Sequence, residues 1–332
     1  MRRVRMSLAA LLSTSLLLAG CGGDEEQQPE SDQGGGESPA QPETWPFTGE
    51  EVGQGSAATK YPPLVVKIDN TGSSAPQQGL DAADLVVEEM VEGGVTRLAA
   101  IYHSTLPSEV GPVRSLRATD IGIAKPTGGA LVASGGAGVT VKRIRQAGIP
   151  IVNEGAPALT RASDRPAPYN VMADLEQVGK QASGKQAERP DDYLPFGDAE
   201  GLPQGKPATQ VDVAYPSRTT SWAFRQGSYV NTNTHAAGDQ TFDADTVLVL
   251  RVDNGDAGYV DPAGNKVPES SFTGRGQAML FHDGRVVRGT WRKQGLGKAV
   301  QLQTKQGDVV VPPGNTWVHL LPKQAGSVNA RK

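Results

Sequence analysis

The chain has 332 residues, 36 of them acidic and 32 basic, for a formal charge of −4. Its one cysteine excludes disulfides and cysteine-rich zinc sites. The histidines His103, His235, His282 and His319 are scattered without metal-ligand spacing. No H-E-x-x-H, G-x-S-x-G, G-x-x-x-x-G-K-[ST] or G-x-G-x-x-G occurs, so standard zinc-hydrolase, serine-hydrolase, P-loop and dinucleotide chemistry are set aside, and no metal or cofactor is expected.

Arg2, Arg3 and Arg5 precede an apolar run from Met6 to Leu18, which Leu18-Ala19-Gly20-Cys21 closes as a lipobox. A membrane span needs roughly 20 apolar residues, and this run is shorter. Residues 1–20 are therefore predicted to be a lipoprotein signal peptide. Cys21 is the predicted lipidation site, holding the mature chain on the extracytoplasmic face of the cell membrane. Once acylated, Cys21 offers no thiol for catalysis.

Residues 21–59 carry nine acidic and no basic side chains among Gly, Gln, Ser and Pro, which predicts a disordered acidic tether. Its reach is on the order of 35 Å for a flexible chain of this length. Trp45 and Phe47 are where docking onto the body is expected to begin. Without signal and tether the body has 27 acidic and 29 basic residues, so it is mildly basic.

The body reads as two domains, 60–195 and 205–325, joined through a segment rich in proline and glycine. In the first, Leu64 to Ile68 is a strand ended by an Asp69-Asn70-Thr71-Gly72 turn, and the runs Leu85 to Val91 and Val95 to His103 form a hairpin. Ser115 is placed to cap a short helix that Pro126 stops. Ala130 to Ser134, the glycine loop Gly135-Gly136-Ala137-Gly138, the helical stretch Val139 to Ala147, and Ile149 to Val152 make a strand–loop–helix–strand unit. The fold class expected is an α/β N-terminal domain followed by a mainly antiparallel β (α+β) C-terminal domain. In the latter, short β stretches are broken by Asp253-Asn254-Gly255, Asp283-Gly284 and Gln306-Gly307-Asp308.

From Arg97 to Arg165 nine basic residues face four acidic ones. Arg97 follows Glu92-Gly93-Gly94, and Arg114 and Arg117 stand at the entry of the short helix. The loop of Gly135, Gly136 and Gly138 opens a helix whose N-terminal N–H groups favour an anion. Arginine adds the planar fork that suits phosphate. The plainer reading lets the glycines pack helix against sheet and pairs the arginines with Glu88, Glu89 or Asp120. Asp69 and Asp84 are the catalytic candidates, near strand ends with Glu88, and a turn role for Asp69 competes.

Leu64-Val65-Val66-Lys67-Ile68-Asp69-Asn70, Pro76-Gln77-Gln78-Gly79-Leu80 with Ala83-Asp84, Glu92-Gly93-Gly94 with Thr96-Arg97, and Gly111-Pro112-Val113-Arg114-Ser115 with Arg117 resemble the N-terminal domain of the YerB-like bacterial lipoproteins. Gly289-Thr290-Trp291 and Pro313-Gly314-Asn315-Thr316-Trp317-Val318 resemble that family's C-terminal domain. The likeness spans about residues 60 to 322 and implies architecture and location. Where the family's R-x-P-x-x-N block usually has a His before the Asn, this chain has Tyr169. A second, shorter segment, Ser134-Gly135-Gly136 with Gly148-Ile149-Pro150-Ile151, is similar to the LytR-CpsA-Psr enzymes, and implies arginines acting on lipid-linked phosphates.

Three functions remain in view. The first is an extracytoplasmic lipoprotein binding an anionic cell-envelope ligand (phosphate, glycan or lipid-linked phosphate) through Arg97, Arg114 and Arg117. The second is a phosphotransferase or hydrolase on lipid-linked cell-wall precursors. The third is a structural module with a protein partner at the edges of the C-terminal sheet. The membrane, through Cys21, is a partner in all three, and nucleic acid in none.

Overall fold

The computed structural model describes residues 42–182, 187–261 and 264–332. The expected signal peptide, the lipidation site Cys21 and the tether as far as residue 41 lie outside the described residues. Residues 42–332 form one compact unit.

The body begins earlier than residue 60. Phe47 is 1% exposed and packs at a tilt against Tyr193 at 6.0 Å, Trp45 packs edge-on to His103 at 5.3 Å, and Tyr193 N–H donates to the Pro46 carbonyl. Two aromatics bury enough area to fold a stretch whose composition alone reads as disordered, so the expected tether of 21–59 is corrected at its C-terminal end.

The first half contributes β1 (Leu64–Asp69), β2 (Leu85–Met90), β3 (Thr96–Tyr102), β4 (Ala130–Ala133), β5 (Ile151–Asn153), β6 (Leu159–Arg161) and β7 (Val171–Ala173), with helices α1 (Asp120–Ala124), α2 (Gly138–Gln146) and α3 (Leu175–Ala182). The second half contributes β8 (Lys206–Pro207), β9 (Gln210–Ala214), β10 (Thr219–Arg225), β11 (Ser228–Asn231), β12 (Asp243–Ala244), β13 (Thr246–Val260), β14 (Lys266–Ser271), β15 (Gly274–His282), β16 (Arg285–Lys293), β17 (Gln301–Thr304), β18 (Gly307–Val309), β19 (Thr316–Pro322) and β20 (Ser327–Arg331). The first half is α/β, with β1, β4 and β5 parallel and α2 crossing between the last two. The second is mainly antiparallel.

One sheet runs through both halves in the order β18-β17-β16-β15-β13-β19-β2-β3-β1-β4-β5. The seam is parallel pairing of β19 with β2, Val318 opposite Val87. The region from Pro190 to Pro216, expected as the domain boundary, therefore links two parts of a shared sheet. β9 to β12 and β20 form a second sheet. Trp222 and Tyr229 from that sheet pack with Val66, Val86 and Trp317 on one face of the main sheet, while Leu116, Ile121 and Ile144 from the α1–α2 region pack with Val65, Val87 and Leu250 on the other. Alternation along β1, β2 and β19 supplies both cores from the same strands.

Two local expectations change. Ser115 does not cap α1, which starts only at Asp120 with no side-chain cap; the Ser115 carbonyl instead accepts from Arg97. Asp253-Asn254-Gly255 is not a turn, because β13 continues through it and exchanges its sheet neighbour for β14, with Asp253 opposite Ser271. The expected turn at Asp283-Gly284 is present, with φ of 46° and 65° between paired His282 and Arg285, the left-handed pair that a two-residue hairpin needs.

Candidate functional site

β1, β2 and β4 point the same way, and their carboxyl ends line one edge of the sheet. β1 connects onward over the face that buries Leu80 and Ala83, whereas β4 connects through α2 over the opposite face. Connections that leave neighbouring strands on opposite faces open a crevice at the carboxyl ends, the usual ligand position in such sheets. Asp69 ends β1 at this crevice, and Gly135 follows β4 into it.

The three arginines meet here. The Arg114 Nε lies 2.9 Å from Asp69 Oδ2, its Nη1 donates to the Pro168 carbonyl at 3.0 Å, and its guanidinium covers the Tyr169 ring at 4.8 Å. Arg117 forks onto Glu92 through Nε at 3.0 Å and Nη2 at 2.7 Å. Arg97 is 8% exposed and donates from Nη1 to the Ser115 carbonyl at 3.0 Å. Its cross-strand neighbours are Asp69 and Glu89, yet it forms an ion pair with neither. Burial, then the charges of Arg117 and Arg114, pull Arg97 down to about 10, so it stays charged at neutral pH.

The glycine loop lies against these residues. Leu116 N–H donates to the Gly135 carbonyl and Ser134 N–H to the Arg114 carbonyl. Gly135 has φ of 131°, and a Cβ on Gly136 would stand 3.1 Å from the Leu116 Cβ, so the close approach of the two segments depends on glycine. Gly138 opens α2, and among the described residues no partner is found for the N–H groups of Gly136, Ala137 and Gly138. The glycines thus serve close packing and leave donors free at the same time.

The two carboxylate candidates part company. Asp69 belongs to the crevice, but both its oxygens are engaged: Oδ1 accepts from the Thr71 N–H and hydroxyl, and Oδ2 pairs with Arg114. Asp84 precedes β2, at the opposite end of the sheet from the arginines. It accepts from the His103 and Ser104 N–H groups and the Ser104 hydroxyl, and burial pushes it up to about 6 despite those bonds. A carboxylate so placed ties a loop and cannot reach the crevice.

Glu88 turns to the other face. It accepts from Trp317 Nε1, the Thr220 hydroxyl and Asn70 Nδ2, with His319 Nδ1 at 3.2 Å. Burial pushes its carboxyl up, and His319, the Thr96 hydroxyl and the charge of Arg218 outweigh it, leaving the group below the usual range. Thr220, Trp317 and His319 come from the second half, so this buried acid pins the halves together. Sequence reasoning missed Glu92 and Tyr169 as neighbours of the arginines, and Arg218, whose Nη1 lies 3.0 Å from His235 Nε2. The first two stood in blocks already singled out; Arg218 carries no local signal.

Family models described as "Protein of unknown function (DUF3048) N-terminal domain" and "Protein of unknown function (DUF3048) C-terminal domain" match residues 47–188 and 209–318. The chain is 26% identical over 290 residues to "Putative lipoprotein YerB" of Bacillus subtilis (strain 168), covering 83% of this chain and 86% of that one. The crystal structure of the YerB protein from Bacillus subtilis superposes with a TM-score of 0.71 at 22% identity, over 86% of this chain and 99% of that one. That superposition speaks for the fold.

Proposed function

Since the chain belongs to the DUF3048 family in both its N- and C-terminal domains, we propose from the geometry of the crevice that it is a lipid-anchored extracytoplasmic protein that binds a phosphate-bearing cell-envelope ligand between Arg97, Arg114 and Arg117. Its likeness to a protein named as a lipoprotein agrees with anchoring through Cys21 after removal of residues 1–20. One observation carries the ligand reading. Arg97 is a buried guanidinium beside two others that bypasses the carboxylates opposite it and keeps donors to spare. Glu92 and Asp69 act on it only at longer range, being directly paired with Arg117 and Arg114, so the buried charge is held without an ion pair of its own, and a bound anion offsets the cost of that burial.

The phosphotransferase or hydrolase alternative needs a carboxylate free to move a proton, and Asp69 has both oxygens engaged while Asp84 is at the far end of the sheet. The partner-binding alternative needs accessible, sticky sheet edges; those of the second half include β12 and β18, of two and three residues, and the longer β14 and β20, of six and five, and among the described residues none of them carries an exposed large hydrophobic side chain. Binding is therefore the reading that the geometry favours.

Thermal melts of the soluble body in pyrophosphate, polyprenyl-phosphate analogues and wall fragments, with and without a divalent cation, test it. A ligand at a hundred times its Kd adds about 2.7 kcal/mol of stability. The shift is expected with a phosphate-bearing ligand and is expected to vanish in Arg97→Met. Silence across the panel would sink the proposal.

A further inference from the structure

The second half holds a separate basic cleft of about 1480 Å³ on the main sheet, lined by Arg251, Arg275, Arg292, Lys293 and Lys323 and by no acidic residue. Among the described residues only Lys323 of these has a carboxylate partner, Asp253 at 2.7 Å. Arg251 donates to the carbonyls of Gly326 and Lys323, and Lys293 to those of Gly295 and Leu296. Arg275 and Arg292 are exposed and have no side-chain partner among the described residues. They are also directly opposite each other in the β15–β16 ladder. Like charges at opposed positions destabilise a sheet, so this pair costs stability unless an anion joins them.

The surroundings narrow what that anion is. Gln277, Thr290 and Gln303 form one cross-strand row beside the arginine pair, on the same face because alternate residues share a face. This row offers amides and a hydroxyl to hydroxylated units between charges. Trp291 is 1% exposed, with Nε1 committed to the Arg251 carbonyl, so it gives bases no stacking platform. None of the exposed large hydrophobic side chains, Val139, Val260 and Leu296, lines the cleft to enter a bilayer. Its volume exceeds the roughly 300–1,000 Å³ of an ordinary small-molecule pocket. A phosphodiester presents two non-bridging oxygens, one for each opposed guanidinium.

We propose that this cleft binds an extended polymer in which phosphodiesters are linked by polyols or sugars. The test titrates the full-length chain in mild detergent with long-chain poly(glycerol phosphate). Binding is expected, weakening as salt rises, with the glycerol phosphate monomer far weaker. The Arg275→Gln/Arg292→Gln variant is expected to bind the polymer about tenfold more weakly with a shallower salt dependence. It is also expected to melt no lower than the parent, because the opposed charges are gone. Arg275→Gln alone should fall between the two, and keeps the test available should the double variant fold poorly. Undiminished polymer affinity in these variants overturns the proposal, as does tighter binding of a single-stranded oligonucleotide or an anionic lipid vesicle than of the polymer.

Discussion

Lys67 and Asp69 leave the same face of β1 two residues apart, yet the charge gathered around each is of opposite sign. Lys67 is wholly buried with Glu89 Oε1 at 2.5 Å and Asp120 Oδ1 at 2.6 Å. Beside Asp69 stand three guanidiniums, and among the described residues only Asp69 and Glu92 form ion pairs with any of them. One cluster has a carboxylate to spare; the other has a cation to spare. The excess is handled differently because the groups titrate differently. Burial pushes Asp120 up to about 6 against the pull of Lys67, so the extra carboxylate takes up a proton under mildly acidic conditions. Arg97 falls only to about 10 and keeps its charge throughout the neutral range. The first cluster can be completed by a proton, while the second keeps its excess cation.

The contrast is broken most severely at Lys67. Lys67→Met leaves two buried carboxylates without their cation, and is expected to cost about 3–5 kcal/mol in urea unfolding. A loss under about 1 kcal/mol would mean that water reaches the cluster and that it is not closed.

Asp120→Asn sharpens the comparison through pH. Asp120 binds its proton more tightly in the folded state than in the unfolded chain, since its value rises from 3.8 to about 6. Its contribution is therefore full below 3.8 and is lost as pH rises through about 6. The stability of the parent relative to Asp120→Asn should fall by about 2–3 kcal/mol across that window. Using the difference between the two proteins cancels His103, which burial pulls down to about 4 and whose contribution runs the other way. A flat difference would show Asp120 to be ionised in the fold at all these pH values.

How far these clusters were legible in the sequence follows from the range of the interactions. The strands Leu64–Asp69 and Leu85–Met90, the helix after the glycine loop and the Asp283-Gly284 turn are local, and periodicity and turn chemistry found them. The gathering of Arg97, Arg114 and Arg117 was inferred from their shared neighbourhood of glycines. What distinguishes Arg97 from Arg117 was not visible, because Glu92 binds the latter across 25 positions. Lys67 read as one polar residue in an apolar strand, its partners being 22 and 53 positions away on β2 and α1. The seam between β2 and β19 joins residues more than 200 positions apart, and no periodicity in either strand announces it. Asp253-Asn254-Gly255 failed for the converse reason: a strong turn signal was overridden by pairing with β14.

Asp69→Asn is a milder change. The asparagine oxygen keeps the two bonds from Thr71, while Arg114 loses its counter-charge. With one negative charge fewer beside the crevice, pyrophosphate is expected to bind about three- to tenfold more tightly in a low-salt titration, and less so as salt rises. Weaker binding would put Asp69 among the groups that hold the ligand through a hydrogen bond, which the present geometry does not call for.

The smallest expected effect separates the clusters most cleanly. Arg97→Met removes a buried cation that has no ion pair and lies near two others, so no carboxylate is left stranded by its loss. The apolar replacement also removes the cost of keeping that charge from water, and unfolding stability without ligand should stay within about 1 kcal/mol of the parent, on either side. Chemical denaturation at two salt concentrations checks it, since screening weakens whatever repulsion from Arg114 and Arg117 remains. A loss as large as that of Lys67→Met would mean that Arg97 already has its counter-charge in the protein. The crevice would then be a second closed cluster, with Glu89 and Asp69 shared between them. Near-neutral stability together with a lost pyrophosphate response has a simpler cause: the fold tolerates Arg97 as an unpaired charge, and the ligand is what pairs it.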